Sequence, residues 1–322
     1  MAALGTPAFT MRPNAGLLAT GAPKSANAQL VRHVTIARHS MPDTRPIGPP
    51  PIITAHLFRR LDAGLLELLR SLSPEEWLRP TIVPKWNVKQ VAAHLLDTGL
   101  RRLSFGRDGS ATSGRALSHQ EVVDLVNRLN AAGVEVYGRL SPPVLIMLTE
   151  AMVAELHDYL ESLDPFLPAP IPVSWAGEAE SVAWFDIARE LTERWHHQQQ
   201  IRLAVDRPGL MTPELYGPVL NCFMRGLPHT YRDVPARTGS IVEVTVTGEC
   251  GGTWWLERSD SGWVLVTAPA RERIDGRISI PQEIAWRVFT KGIAREDAKS
   301  RASISGDEAL AAATLGLTAI VA

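Results

Sequence analysis

The stretch Trp86-Asn87-Val88-Lys89-Gln90-Val91-Ala92-Ala93-His94-Leu95-Leu96 decides how this chain is read. Val88, Val91, Ala92, Leu95 and Leu96 recur at helical spacing and form one apolar stripe. Asn87 stands where an N-cap belongs, and Gln90, three residues on, can return the hydrogen bond. The stretch opens a long helix that runs to about Arg102. His94 breaks the pattern. It sits among side chains destined for burial, and a buried imidazole needs partners. A facing helix of a bundle can supply them.

The flanking sequence has the same character. Leu57, Phe58, Leu61, Leu65, Leu68, Leu69 and Leu72 predict a helix over 54–72. Ser73, Pro74 and Glu76 then make a capping box that opens a short turn through Trp77. Gly106 to Gly114 reads as a loop. Ser118 caps a third helix to about Arg139, and Ser141-Pro142-Pro143 starts a fourth to about Leu163. A fifth covers Trp184 to about Val205, stopped by Asp206-Arg207-Pro208-Gly209. Residues 51–210 are thus a bundle of four or more long helices. Residues 211–235 form a connecting helix, from Pro213, and a linker.

Beyond that the period changes to two. Val242, Val244 and Val246 alternate with Glu243, Thr245 and Thr247. Trp254-Trp255-Leu256 and Trp263 to Val266 are further strands joined by a Ser-Asp-Ser-Gly turn. Ile278 to Ile280 can pair with them, Pro281 opens a helix to about Thr290, and Ser300 to Ser305 is a last strand. Asp307 caps a closing helix from Glu308 to about Ile320. Residues 236–322 are a small α+β domain, so the fold class is a helical bundle followed by α+β.

Composition excludes several classes. Two domains suit 322 residues. Cys222 and Cys250, with no C-x-x-C pair, exclude a disulfide scaffold and a Cys-built zinc finger, and fit a reducing compartment. A net charge of −1 gives no field for nucleic acid, and no apolar run reaches the roughly 18 residues of a membrane span. The expectation is a cytoplasmic protein acting on a small molecule, without nucleic-acid or membrane partners; nothing in the sequence signals an oligomeric state. The neutrality is a sum of unequal parts. Residues 1–42 hold Arg12, Lys24, Arg32 and Arg38 and no acid, so the remainder is mildly acidic. Residues 1–50 read as a disordered or non-native leader, with Met41 as an alternative start and an organelle transit peptide as another reading.

No P-loop, dinucleotide-binding glycine motif, G-x-S-x-G or H-E-x-x-H is present. The informative polar stretch is Glu193-Arg194-Trp195-His196-His197-Gln198-Gln199-Gln200. Glu193 and His197, four apart, lie one turn apart on one helix face. With His94 from another helix they give two imidazoles and one carboxylate. Catalytic zinc sites with an open position use that set, and so do non-haem iron(II) sites. Affinity for either ion should fall at low pH, because the ligands must be deprotonated. His196 is a rival ligand. Gln200 can hydrogen-bond a ligating imidazole from behind. Arg101, on the His94 face of its helix, can meet an anionic substrate.

Trp86-x-Val88-x-x-Val91-Ala92-Ala93-His94-Leu95, followed by Glu193-x-x-x-His197, resembles the metal-binding domain of mycothiol-dependent maleylpyruvate isomerases, within the DinB-like bundle superfamily. The C-terminal region is similar to the sterol-carrier-like domain that follows it there, on element order, on Ile280 to Arg287 and on Gly306 to Leu310. The resemblance implies that His94, Glu193 and His197 bind a divalent metal, usually zinc. It also implies that the metal activates a low-molecular-weight thiol such as mycothiol, which adds to an electrophilic double bond, lets it rotate and leaves. Gln200 departs from the Asp frequent at that position. The functional reading is a metal- and thiol-dependent isomerase or S-transferase. The alternatives are a metal-dependent hydrolase or other small-molecule enzyme on the same scaffold, and a non-catalytic metal- or ligand-binding protein.

Overall fold

The computed structural model describes residues 9–10, 48–110, 112–113 and 119–320. The expected leader, save residues 9–10 and 48–50, and the Ser118 cap lie outside the described residues. A short antiparallel pair joins β1 (Phe9–Thr10) to β2 (Thr112–Ser113).

Capping residues set the first helix boundaries. Helix α1 (Phe58–Ser71) is followed by a turn that Ser73 and Glu76 hold by two reciprocal hydrogen bonds, 2.9 and 3.3 Å long. Helix α2 (Val88–Arg102) begins at Asn87, whose Oδ1 accepts from Gln90 N while Gln90 Oε1 accepts from Asn87 N, both at 3.0 Å. It ends in a π turn over Leu103–Arg107, so the expected loop from Gly106 is helical at its start. Helices α3 (His119–Tyr137), α4 (Pro142–Ser162) and α5 (Ala183–Ala204) complete the bundle. α2 packs on α3, α4 and α5, and α1 packs on α4 and α5. Gly99 permits the close approach of α2 to α4, since a Cβ there would collide with Met152. Among the described residues no helix is long and apolar enough to cross a membrane.

Helix α5 is the central element. Sixteen of its 22 residues are buried, including Asp186, Glu190, Arg194, His196, His197 and three glutamines. Its polar face, which would ordinarily be solvated, is inside the protein. Asp186 forms an ion pair with Arg102 at 2.6 Å and accepts from Arg189 at 2.9 Å.

Helices α6 (Pro213–Met224) and α7 (Leu227–Thr230) lead to the C-terminal domain. Its strands are β3 (Ile241–Thr247), β4 (Gly252–Ser259), β5 (Gly262–Val266), β6 (Gly276–Pro281) and β7 (Ser303–Gly306). They form one sheet in the order β5-β4-β3-β6-β7, antiparallel except for β3 against β6. Val242, Val244 and Val246 are buried while Glu243 and Thr245 are more open, as the alternation predicts. Helices α8 (Gln282–Phe289) and α10 (Glu308–Ala313) pack on β3 and β6.

Two expectations are corrected here. A short helix, α9 (Arg295–Ser300), lies where none was predicted. The closing helix stops at Ala313 and does not reach Ile320. A turn over Thr314–Gly316 follows, which buries Leu315, and beyond it Leu317 and Ala319 are buried in the core. Ala319 N donates to Phe289 O at 2.8 Å, which a continuing helix could not do.

The two domains meet at α5. The Trp195 ring stacks on Tyr216, with centroids 4.5 Å apart and planes 3° off parallel, and meets Trp286 edge-on at 6.0 Å. Tyr216 Oη donates to Gln282 O at 2.8 Å.

The buried Asp186 ion pairs yield a prediction. Burial alone would raise this carboxyl's pKa, but Arg102 and Arg189 hold it below its usual range. A depressed folded pKa contributes stability that is complete above the unfolded value, near 3.8, and is lost as the pH falls through the folded one. Asp186→Asn should cost about 3–5 kcal/mol at pH 7, because it strands the buried guanidinium of Arg102, while Arg189 keeps Glu190 at 3.1 Å. Denaturant unfolding should show the gap to wild type narrowing in acid below about 3.9. A gap that stays constant with pH would contradict this role.

Candidate metal centre

α2 and α5 bring three donors together. His94 Nε2 and His197 Nε2 each lie 3.1 Å from the same atom, Glu193 Oε1. One donor atom from each residue falls within 4.8 Å of the others, a spread that one metal ion can bridge. Both imidazoles are buried, while the Glu193 side chain is 24% exposed. The centre therefore opens toward solvent on the carboxylate side.

Protons locate the lone pairs. Gln200 Oε1 stands 2.7 Å from His197 Nδ1 and accepts its proton, which leaves Nε2 facing the carboxylate. Nε2 and Glu193 Oε1 can then meet only with a proton or a cation between them. Metal and proton compete for that place, so metal uptake should release protons. Burial, then the nearby His197, lowers the His94 pKa to about 4, so this imidazole is neutral at pH 7. Burial works to raise the Glu193 pKa, yet His197 and His94, converging on the carboxylate, hold it well below the usual range. Neutral imidazole and ionised carboxylate are the forms a divalent cation needs, so the residues fit the ion.

The other sequence-predicted residues divide. Gln200 is where a supporting partner belongs. His196 is outside the cluster: its Nδ1 donates to Thr192 O, 2.8 Å away on its own helix. Burial, then His197, lowers its pKa to about 3. Arg101 is engaged by neighbouring side chains. Its Nε pairs with Asp97 at 2.8 Å and its Nη2 donates to Asn130 at 2.7 Å. The role of Trp86 was not read from the sequence. Its ring lies 4.8 Å from that of His94 and 6.1 Å from that of His197, packing against both imidazoles. Its place just before the Asn87 cap was the available signal, because a cap fixes what precedes the helix.

The architecture is that of a helical-bundle protein with a two-imidazole, one-carboxylate cluster between helices and a small mixed-sheet domain behind it. Residues 58–202 match the family model of the mycothiol maleylpyruvate isomerase N-terminal domain, so the resemblance carried by Trp86–Leu95 and Glu193–His197 holds for the helical domain. Two solved structures are similar to the chain at low identity. A mutant of the mycothiol-dependent maleylpyruvate isomerase is 12% identical, with a TM-score of 0.47 over 78% of this chain and 91% of that one. Another structure of that enzyme is 13% identical, with a TM-score of 0.42 over 73% and 86%. No curated protein matches the chain.

Gln200 gives the test of the centre's support. Gln200→Ala removes the acceptor that holds the His197 proton on Nδ1. Zinc affinity, read by competition with a chromophoric chelator, should fall about 10–100-fold with the fold intact. An unchanged affinity would show that Gln200 does not orient the imidazole.

Proposed function

We propose that this protein is a divalent-metal enzyme that uses an external low-molecular-weight thiol to act on an electrophilic small molecule, as an isomerase or S-transferase. The observation that carries the reading is the convergence of His94, Glu193 and His197 within 4.8 Å, inside a domain of the mycothiol maleylpyruvate isomerase family. These three residues would hold the ion, and their donor chemistry suits zinc. Bound zinc lowers the pKa of a thiol or water beside it and polarises a carbonyl.

The chain's own residues define the rest. His94 is a neutral imidazole whose Nε2 faces Glu193, and Gln200 keeps the Nε2 of His197 turned to the same oxygen. Trp86 packs against both rings and keeps water from that side. The carboxylate side, being the open one, is where thiol and substrate would enter. Neither cysteine belongs to the donor cluster. Cys222 is buried, which pushes its thiol up to about 12, and the Cys250 thiol donates to Met211 O at 2.9 Å. A reactive thiol must come from outside the chain. We read the C-terminal domain, on element order, as sterol-carrier-like.

The same donor set serves water-based hydrolysis, so the thiol requirement is the decisive measurement. The purified protein should hold one divalent ion per chain, and His94→Ala, Glu193→Ala and His197→Ala should each lose it. Retention by His197→Ala with loss in His196→Ala would overturn the ligand assignment. Turnover of a model electrophile should require both mycothiol, or a similar small thiol, and metal, and should stop with a chelator. Metal-dependent turnover without thiol would favour the hydrolase.

A further inference from the structure

The bundle holds a second buried polar cluster just behind the first. Asp62 of α1 and Arg194 of α5 are each 1% exposed, and His157 of α4 is 6% exposed. Arg194 Nε and Nη2 donate to Asp62 Oδ1 at 2.9 and 2.6 Å. Its remaining nitrogen, Nη1, donates to Leu95 O of α2 at 3.3 Å. His157 Nε2 lies 2.9 Å from Asp62 Oδ2. Four helices thus meet at one carboxylate and one guanidinium. Arg194 follows Glu193 in sequence, and Leu95 follows His94. The contact from Arg194 to Leu95 O therefore joins the two helices that carry the metal ligands, one residue from a ligand on each.

We propose that Arg194, held by Asp62, is a positioning residue that locks α2 and α5 in the register that closes the metal centre. This rests on the reading of His94, Glu193 and His197 as ligands. Stability alone is a weak reason for such a cluster, because buried ion pairs are often matched or bettered by apolar side chains of similar volume. A need for register is a stronger one. Sliding a helix by one residue moves its side chains about 1.5 Å along the axis and turns them about 100°. Metal–ligand distances tolerate only about 0.2 Å. The stripe around His94 is Val, Ala and Leu, and apolar contacts are non-directional, so they resist small slips weakly. A planar guanidinium bonded to α1 on one edge and to α2 on another is directional, and Lys cannot reproduce its fork.

The test separates position from stability. In the triple variant Asp62→Leu, His157→Leu and Arg194→Met, far-UV circular dichroism should match wild type. Its zinc dissociation constant, measured by chelator competition, should rise about 10–100-fold. The visible spectrum of the cobalt(II) form should change in position or intensity, which a purely structural role would not produce. A folded triple variant with wild-type zinc affinity and cobalt spectrum overturns the proposal and leaves the metal centre standing. If the triple variant fails to fold, Arg194→Lys takes its place: the charge stays on Asp62 while the reach to Leu95 O is lost. Its zinc affinity should weaken, and an unchanged value overturns the proposal. A wild-type protein that takes up no zinc overturns the metal centre and this proposal together.

Discussion

The structure depends on one constraint: α5 is buried almost all round and yet is full of polar side chains. A helix enclosed on every side is ordinarily apolar. Each buried polar group left without a partner costs about 1–3 kcal/mol. Arg194 answers to Asp62, His196 to Thr192 O, His197 to Gln200, and Asp186 to Arg102 and Arg189. Thr192, Gln200 and Arg189 lie on α5 itself and turn with it, whereas Asp62 belongs to α1 and Arg102 to α2. Turning α5 by one residue would strand Arg194 and Asp186, so these two inter-helix pairs hold it in rotation and in height. Placement of Glu193 and His197 opposite His94 follows from that fixing.

Much of the architecture was legible because local chemistry sets it. The reciprocal bonds of Ser73 with Glu76 and of Asn87 with Gln90 are short-range, so the sequence spells them out. The alternation in β3 is equally direct, because a sheet with one buried face imposes a period of two. The joining of His94 to Glu193 was legible for a different reason: an imidazole inside an apolar stripe demands a partner.

What the sequence concealed is tertiary. The polar run from Glu193 to Gln200 has the composition of a solvated face, and nothing local says that other helices enclose it. Asp62 and Arg194 are 132 residues apart, and neither sits in a pattern that names the other. Arg101 has the spacing of a site residue, but Asp97 and Asn130 engage it first. Helix α9 is six residues long, too short to show an apolar period. The end of α10 is set by a backbone bond to Phe289 O, which no propensity encodes.

Trp195 gives α5 a second duty. Arg194, its neighbour in sequence, reaches Asp62 and Leu95 O inside the bundle, while the Trp195 ring is wedged between Tyr216 and Trp286 of the following segments. Helix α5 is therefore a wall shared by the bundle and the segments that follow it. In evolutionary terms the bundle is not a free module: a gene fusion that exchanged the sheet domain would have to bring a surface shaped to an indole ring. A change of Trp286 in the sheet domain would alter the packing of Trp195, two residues from His197, so one indole ring couples the two halves of the chain.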